Sequence, residues 1–131
     1  MFDYEKLKSL SSAKRYPKNT IVIHEGDSMP YSLYIVLSGS VRVVKFYGKY
    51  DQSVLANLTP GDFFGEMSLF MKKPRTATVI TIEDSVILEI EQTNVIELIR
   101  GNPEMIYSVI KTLCNRLDDA NERVRSLQRL Q

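Results

Sequence analysis

Between Thr20 and Ile90 the chain is a train of short apolar runs cut by turn residues. Ile21-Val22-Ile23 closes at Glu25-Gly26-Asp27-Ser28, and Leu33-Tyr34-Ile35-Val36-Leu37 closes at Ser38-Gly39-Ser40. Val41-Arg42-Val43-Val44-Lys45-Phe46 runs into the polar tip Tyr47-Gly48-Lys49-Tyr50-Asp51. Ser53-Val54-Leu55-Ala56-Asn57-Leu58 precedes the turn Thr59-Pro60-Gly61-Asp62. Ala77-Thr78-Val79-Ile80-Thr81-Ile82 is parted from Val86-Ile87-Leu88-Glu89-Ile90 by Glu83-Asp84. β-Branched and aromatic runs bounded by Gly, Pro, Asp and Ser read as strands, and strands this closely spaced predict a sandwich or small barrel. Glu66-Met67-Ser68-Leu69-Phe70-Met71 breaks the train with residues that favour a short helix. An insertion of that kind in a β unit more often carries a site than serves as scaffold.

The flanks read as helical. Residues 2–13 predict a short helix with Phe2, Leu7 and Leu10 on its apolar side and Asp3 as N-cap. Lys14, Arg15 and Lys18, around Tyr16-Pro17, then read as a solvated loop leading into the strands. After Ile90 the period changes to that of a helix over about 92–101, stopped by Gly101-Asn102-Pro103. From Pro103 to the chain end no Gly or Pro interrupts a last, long helix. Its apolar residues Ile106, Ile110, Leu113, Leu117, Ala120, Val124 and Leu127 follow steps of 4, 3, 4, 3, 4, 3, a heptad stripe. Met105 and Val109 widen the first half, which is expected to lie on the domain itself. The second half narrows to a seam that predicts a parallel homodimer through Leu113, Leu117, Ala120, Val124 and Leu127. Residues 1–131 read as one domain, with no internal repeat or low-complexity segment.

Composition narrows the chemistry. With 17 Lys+Arg against 16 Asp+Glu the formal charge is +1, so the chain as a whole has no nucleic-acid footprint. No apolar run approaches the ~20 residues that span a bilayer. The single Cys114 allows no internal disulfide and suits a reducing compartment, so a cytoplasmic location is expected. The single His24 leaves no three-His metal site and no zinc cluster, and no Gly-x-Ser-x-Gly elbow accompanies it. No metal, cofactor or catalytic residue is expected, and the chain reads as a non-enzyme.

The chemistry that remains is concentrated between Gly61 and Val79. Glu66 stands at the start of the inserted helix, and Arg75 follows nine residues later between Pro74 and Thr76. Helix-start N–H groups attract an anion, Arg offers phosphate a planar fork, and Glu accepts from a hydroxyl while repelling phosphate. Together these parts suit a small anion that also carries a hydroxyl.

The order of elements resembles the cyclic nucleotide-binding domain of catabolite activators, of kinase regulatory subunits and of cyclic-nucleotide-gated channels. Glu25-Gly26-Asp27, Leu33 to Val41, and Gly61-Asp62-Phe63-Phe64-Gly65-Glu66 carry the likeness, and Phe64-Gly65-Glu66, Met67-Ser68-Leu69 and Pro74-Arg75-Thr76-Ala77 look like that family's phosphate-binding cassette. The resemblance implies an α+β fold: an antiparallel, jelly-roll-like β-roll with a short N-terminal helix, an inserted cassette helix and two C-terminal helices, the last one long. It implies that Arg75 binds the cyclic phosphate and Glu66 the ribose 2′-hydroxyl. Phe64, Gly65, Met67, Ser68, Thr76 and Ala77 would complete the cradle, and Asn121 on the long helix would cap the base. The implied ligand is cAMP, with cGMP as the alternative that the Thr76 hydroxyl permits. The chain departs from many members at Lys72-Lys73, where a Gly commonly precedes the Pro-Arg pair. Two rival readings are a degenerate member serving as a dimerisation or docking unit, and a cupin-like metal enzyme. Intact Glu66 and Arg75 weigh against the first, and the lone His24 against the second.

Overall fold

A computed structural model of the chain describes residues 11–29 and 31–129. Among the described residues eight strands form two four-stranded sheets in which every pairing is antiparallel. The strands are β1 (Ser12–Tyr16), β2 (Ile21–Ile23), β3 (Ser32–Ser38), β4 (Val41–Lys45), β5 (Ser53–Leu58), β6 (Phe63–Phe64), β7 (Thr78–Thr81) and β8 (Ser85–Glu91). One sheet has the order β1-β8-β3-β6 and the other β2-β7-β4-β5. Helix α1 (Glu66–Met71) interrupts the strands between β6 and β7, and α2 (Gln92–Gly101) and α3 (Pro103–Arg129) follow β8. This is the expected β-roll with an inserted helix and two C-terminal helices.

Two apolar layers hold these elements. Ile23, Tyr34, Val36, Val41, Leu58, Phe64, Val79 and Ile87 fill the space between the sheets. Leu33, Phe63, Leu69, Leu88, Ile90, Val95 and Leu98 fill a second layer that draws in α1 and α2. Because side chains alternate along a strand, β3 and β8 serve both layers, which is why their sequences are nearly continuous apolar runs. The adjacent Phe63 and Phe64 divide the same way, one to each layer, and thereby fix the chain's path into α1. Thr81, fully buried, satisfies the turn before β2: it accepts from Thr20 N at 2.8 Å and donates to Pro17 O at 2.6 Å.

The N-terminal expectation needs correction. The helix expected over 2–13 falls mostly outside the described residues, and its last two positions are strand. Lys14 and Arg15, expected in a solvated loop, lie in β1, paired with Ile87 and Val86 of β8. This is an edge strand with an almost wholly exposed surface, and its charged side chains shield the sheet edge from further pairing.

Helix α2 stops where the Gly-Asn-Pro signal placed it. Asn102 is fully buried and its Nδ2 donates to Leu98 O at 2.9 Å. Helix α3 has 27 residues and is therefore ~40 Å long. Val109 packs against the second core layer, but Ile106 and Ile110, in the half expected to lie on the domain, are exposed. Leu113, Leu117, Val124 and Leu127 are exposed as well, Leu117 by 62% and Leu127 by 64%. Among the described residues nothing covers that stripe.

Candidate functional site

The chain turns from β6 into α1 at Gly65, whose φ of 87° is left-handed, a backbone that residues with a Cβ adopt only at a cost. Glu66 opens the helix, and Ser68 is buried beneath it. The helix ends at Lys72, also left-handed at φ 52°, with its N–H donating to Ser68 O at 2.9 Å. A lysine there carries a strain of about 1 kcal/mol that glycine would avoid. The Lys72-Lys73 departure therefore falls at a point of local backbone strain.

Arg75 is anchored twice. Its backbone N–H donates to Asp27 O, and its carbonyl accepts from Gly26 N, both at 2.8 Å, so the Glu25-Gly26-Asp27 turn fixes where it leaves the backbone. Its side chain is 5% exposed. Nη1 donates to Gly65 O at 3.1 Å and Nη2 to Ser32 O at 3.2 Å, while the guanidinium lies 5.5 Å from the centre of the Tyr34 ring. Tyr34 in turn stacks on Phe64 at 5.1 Å. Burial pulls the Arg75 pKa down, against the opposing pull of Tyr34, Glu89, Asp27 and Glu66.

Burial is also the main force on Tyr34, pushing its pKa up to about 12, with Glu89 adding to the rise and Arg75 opposing it. A tyrosine in the unfolded chain titrates near 10. Between those two pH values the unfolded chain has released the phenol proton and the folded chain has kept it. Stability therefore falls as pH rises from about 10 towards 12. Tyr34→Phe is expected to flatten this alkaline slope in melts recorded across that range. An unchanged slope would show that Tyr34 is not its source.

Glu66, 9% exposed, accepts a hydrogen bond from Arg116 Nη1 of α3. The second nitrogen of Arg116 donates to Phe63 O at 2.6 Å, and its guanidinium lies 4.9 Å from the centre of the Phe63 ring. One arginine thus ties the long helix to the start of the cassette, at the residue expected to receive the ribose. Lys45 ties down the other end, donating to Thr76 O at 2.8 Å and pairing with Glu25 at 3.1 Å.

These elements enclose a cavity of about 310 Å³. Phe64, Gly65, Glu66, Met67, Ser68, Arg75, Thr76 and Ala77 line one side, so the structure brings together all the cassette residues expected there. Leu55, Ala56 and Leu58 of β5 form an apolar wall. Helix α3 closes the space with Arg116, Asp119, Ala120 and Arg123. Asn121, expected at the base, is exposed and does not line the cavity. At about 100° per residue, positions 116, 119, 120 and 123 share one face, and Asn121 lies on the far flank of the apolar seam. Sequence reasoning missed Arg116, Asp119 and Arg123 as site residues, although their spacing of three and then four was visible. Among the described residues no three His, Cys, Asp or Glu are grouped so as to hold a metal ion. No described helix is long and apolar enough to cross a membrane.

A family model described as a cyclic nucleotide-binding domain matches residues 13–102. The cyclic AMP receptor protein of Thermus thermophilus is 33% identical over 106 residues, covering 81% of this chain and 49% of that protein. The cAMP-activated global transcriptional regulator of Haemophilus influenzae is 33% identical, over 86% of this chain and 50% of its own length. The crystal structure of the Thermus thermophilus catabolite activator protein superposes with a TM-score of 0.82 at 30% identity, covering 95% of this chain and 58% of that one. The chain spans about half the length of the curated relatives it matches.

Proposed function

The chain belongs to the cyclic nucleotide-binding domain family, and we propose that it is a cAMP-binding sensor module that catalyses no reaction and signals by repositioning α3. The observation that carries this reading is the pairing of a buried Glu66 with a buried Arg75 on one cavity. Arg75 takes the cyclic phosphate through its fork, and Glu66 accepts from the ribose 2′-hydroxyl. The apolar wall of β5 receives the purine, and α3 covers it. Glu66 is also the residue that holds Arg116, so a ligand that draws on Glu66 changes the tie between cassette and helix. Ligand binding shifts the pose of α3 by no more than its differential affinity for the two poses, typically a coupling of ~1–3 kcal/mol. The exposed stripe Leu113, Leu117, Val124 and Leu127 pairs with a second copy in parallel, so that the movement reorients whatever the helices lead to.

cGMP is a second reading, and one observation favours it. Asp119 lines the cavity where Asn121 was expected. Guanine presents two adjacent donors, N1–H and the N2 amino group, which match the two oxygens of a carboxylate. Adenine presents one donor beside an acceptor. The names of the bacterial relatives favour cAMP.

Titration calorimetry with each nucleotide, run beside sedimentation of the same sample, tests both readings. Binding of cAMP in preference to cGMP by a dimer is the expected result. A cGMP preference that Asp119→Asn abolishes moves the assignment to cGMP. No heat and no thermal shift with either nucleotide at millimolar concentration rejects the sensor function, and a monomer at all concentrations rejects the seam.

A further inference from the structure

We propose that Glu89, on β8, is the resting counter-ion of Arg75, and that it holds down the affinity of the cavity for its anion; the claim rests on the reading of Arg75 given above. Ser32 joins the two residues. Its hydroxyl donates to Glu89 Oε2 at 2.8 Å, and its carbonyl accepts from Arg75 Nη2 at 3.2 Å. Glu89 also stands directly across the β3–β8 ladder from Tyr34, the ring against which the guanidinium rests. One residue, Ser32, thus separates the carboxylate from the guanidinium, and Glu89 is not among the residues that line the cavity.

A cation as buried as Arg75 is costly unless compensated, and the carbonyls of Gly65 and Ser32 that accept from it are neutral. Three carboxylates, those of Glu89, Asp27 and Glu66, act on its charge. Glu66 is engaged by Arg116, and Asp27 is exposed and screened by solvent. The Glu89 side chain is 14% exposed. Its own partner Lys14, at 3.4 Å, is 57% exposed, so that surface pair contributes little. Of the three, Glu89 is therefore the acid whose charge is left to face Arg75.

Two consequences have opposite signs. Without ligand, Glu89 stabilises the chain by compensating Arg75. With ligand, the same negative charge repels a phosphate brought to the guanidinium from the cavity. A Glu89 that only braced Ser32 and β1 would have one sign throughout, and its loss would weaken fold and binding together.

Glu89→Gln tests this, because Gln is isosteric and keeps an acceptor for the Ser32 hydroxyl. Melts of the ligand-free chain form one arm, as a cycle of wild type, E89Q, R75Q and the double variant. E89Q is expected to lower Tm in the presence of Arg75 and to leave it unchanged in the R75Q background. Titration with cAMP and cGMP forms the other arm, in which E89Q is expected to tighten binding by roughly three- to tenfold. Glu89→Asp, which disturbs packing but keeps the charge, is expected to lower Tm without that tightening. Should E89Q melt below the titration temperature, the nucleotide-induced rise in its Tm replaces calorimetry and is expected to exceed that of wild type. An equal loss of Tm in both backgrounds overturns the proposal, as does binding that is unchanged or weaker in E89Q. A wild-type chain that binds neither nucleotide overturns the sensor reading instead, and the ligand-free cycle then decides the counter-ion claim alone.

Discussion

Replacing Arg75 with Gln is expected to weaken cyclic-nucleotide binding by more than about 100-fold while the ligand-free chain still melts cooperatively. A charge-assisted hydrogen bond contributes ~1.5–3 kcal/mol, and the guanidinium fork offers two of them to one phosphate. Losing both removes ~3 kcal/mol or more, and each 1.4 kcal/mol is about tenfold in affinity. The fold has less to lose. In this structure Arg75 is a buried cation whose charged form burial disfavours, so neutralising it relieves a cost as well as removing contacts. Gln can still donate to Gly65 O or Ser32 O, which limits the penalty for an unsatisfied carbonyl to roughly 1 kcal/mol. Calorimetry and a thermal melt on the same sample separate the two roles. Affinity within a few-fold of wild type would refute the phosphate role. Loss of the cooperative melt would mean that Arg75 holds the β2–β3 turn to the cassette as a structural strut.

Sequence reading reached the cassette because its parts are local. Eight cavity-lining residues fall between Phe64 and Ala77, and their chemistry survives being read in one dimension. The strands β2 to β5, β7 and β8 were legible for a related reason: each apolar run is closed by its own turn residues, so no distant partner is needed to mark it. What failed depended on distance. Strand β1 has no apolar face of its own, and it exists because β8 pairs with it from about seventy residues away. The face that α3 turns to the cavity is likewise set by Arg116 reaching Glu66 and Phe63, fifty and fifty-three residues back. Heptad spacing defines the apolar stripe but cannot rotate the helix about its axis. The base contact was therefore assigned to Asn121, when the same turn of helix delivers Asp119, Ala120 and Arg123. The Glu89–Ser32–Arg75 chain was invisible for the same reason, since its links join residues 57 and 43 positions apart.

Gly65→Ala is expected to damage fold and site together, costing about 3 kcal/mol or more of stability and most of the affinity. The backbone alone disfavours it: at φ 87° an L side chain costs roughly 1–2 kcal/mol. The space disfavours it further. An added Cβ would stand 2.8 Å from Arg75 Nη1, 2.9 Å from Ser32 O and 3.2 Å from Tyr34 Cδ2. The guanidinium could swing aside, but the Ser32 carbonyl belongs to β3, which is paired to both β8 and β6, and cannot retreat without opening the sheet. The available response is for Arg75 to leave Gly65 O, which uncouples the phosphate group from the ribose group before any ligand arrives. Gly61→Ala is the matched control, because Gly61 has a similar φ of 94° but open space around its missing Cβ. Both variants carry the backbone strain, and only Gly65→Ala carries the collision. The difference between their melting points therefore measures how tightly β3, Arg75 and the start of α1 are closed on one another. Equal losses of stability and affinity in the two would mean that glycine is needed at position 65 only to turn the chain.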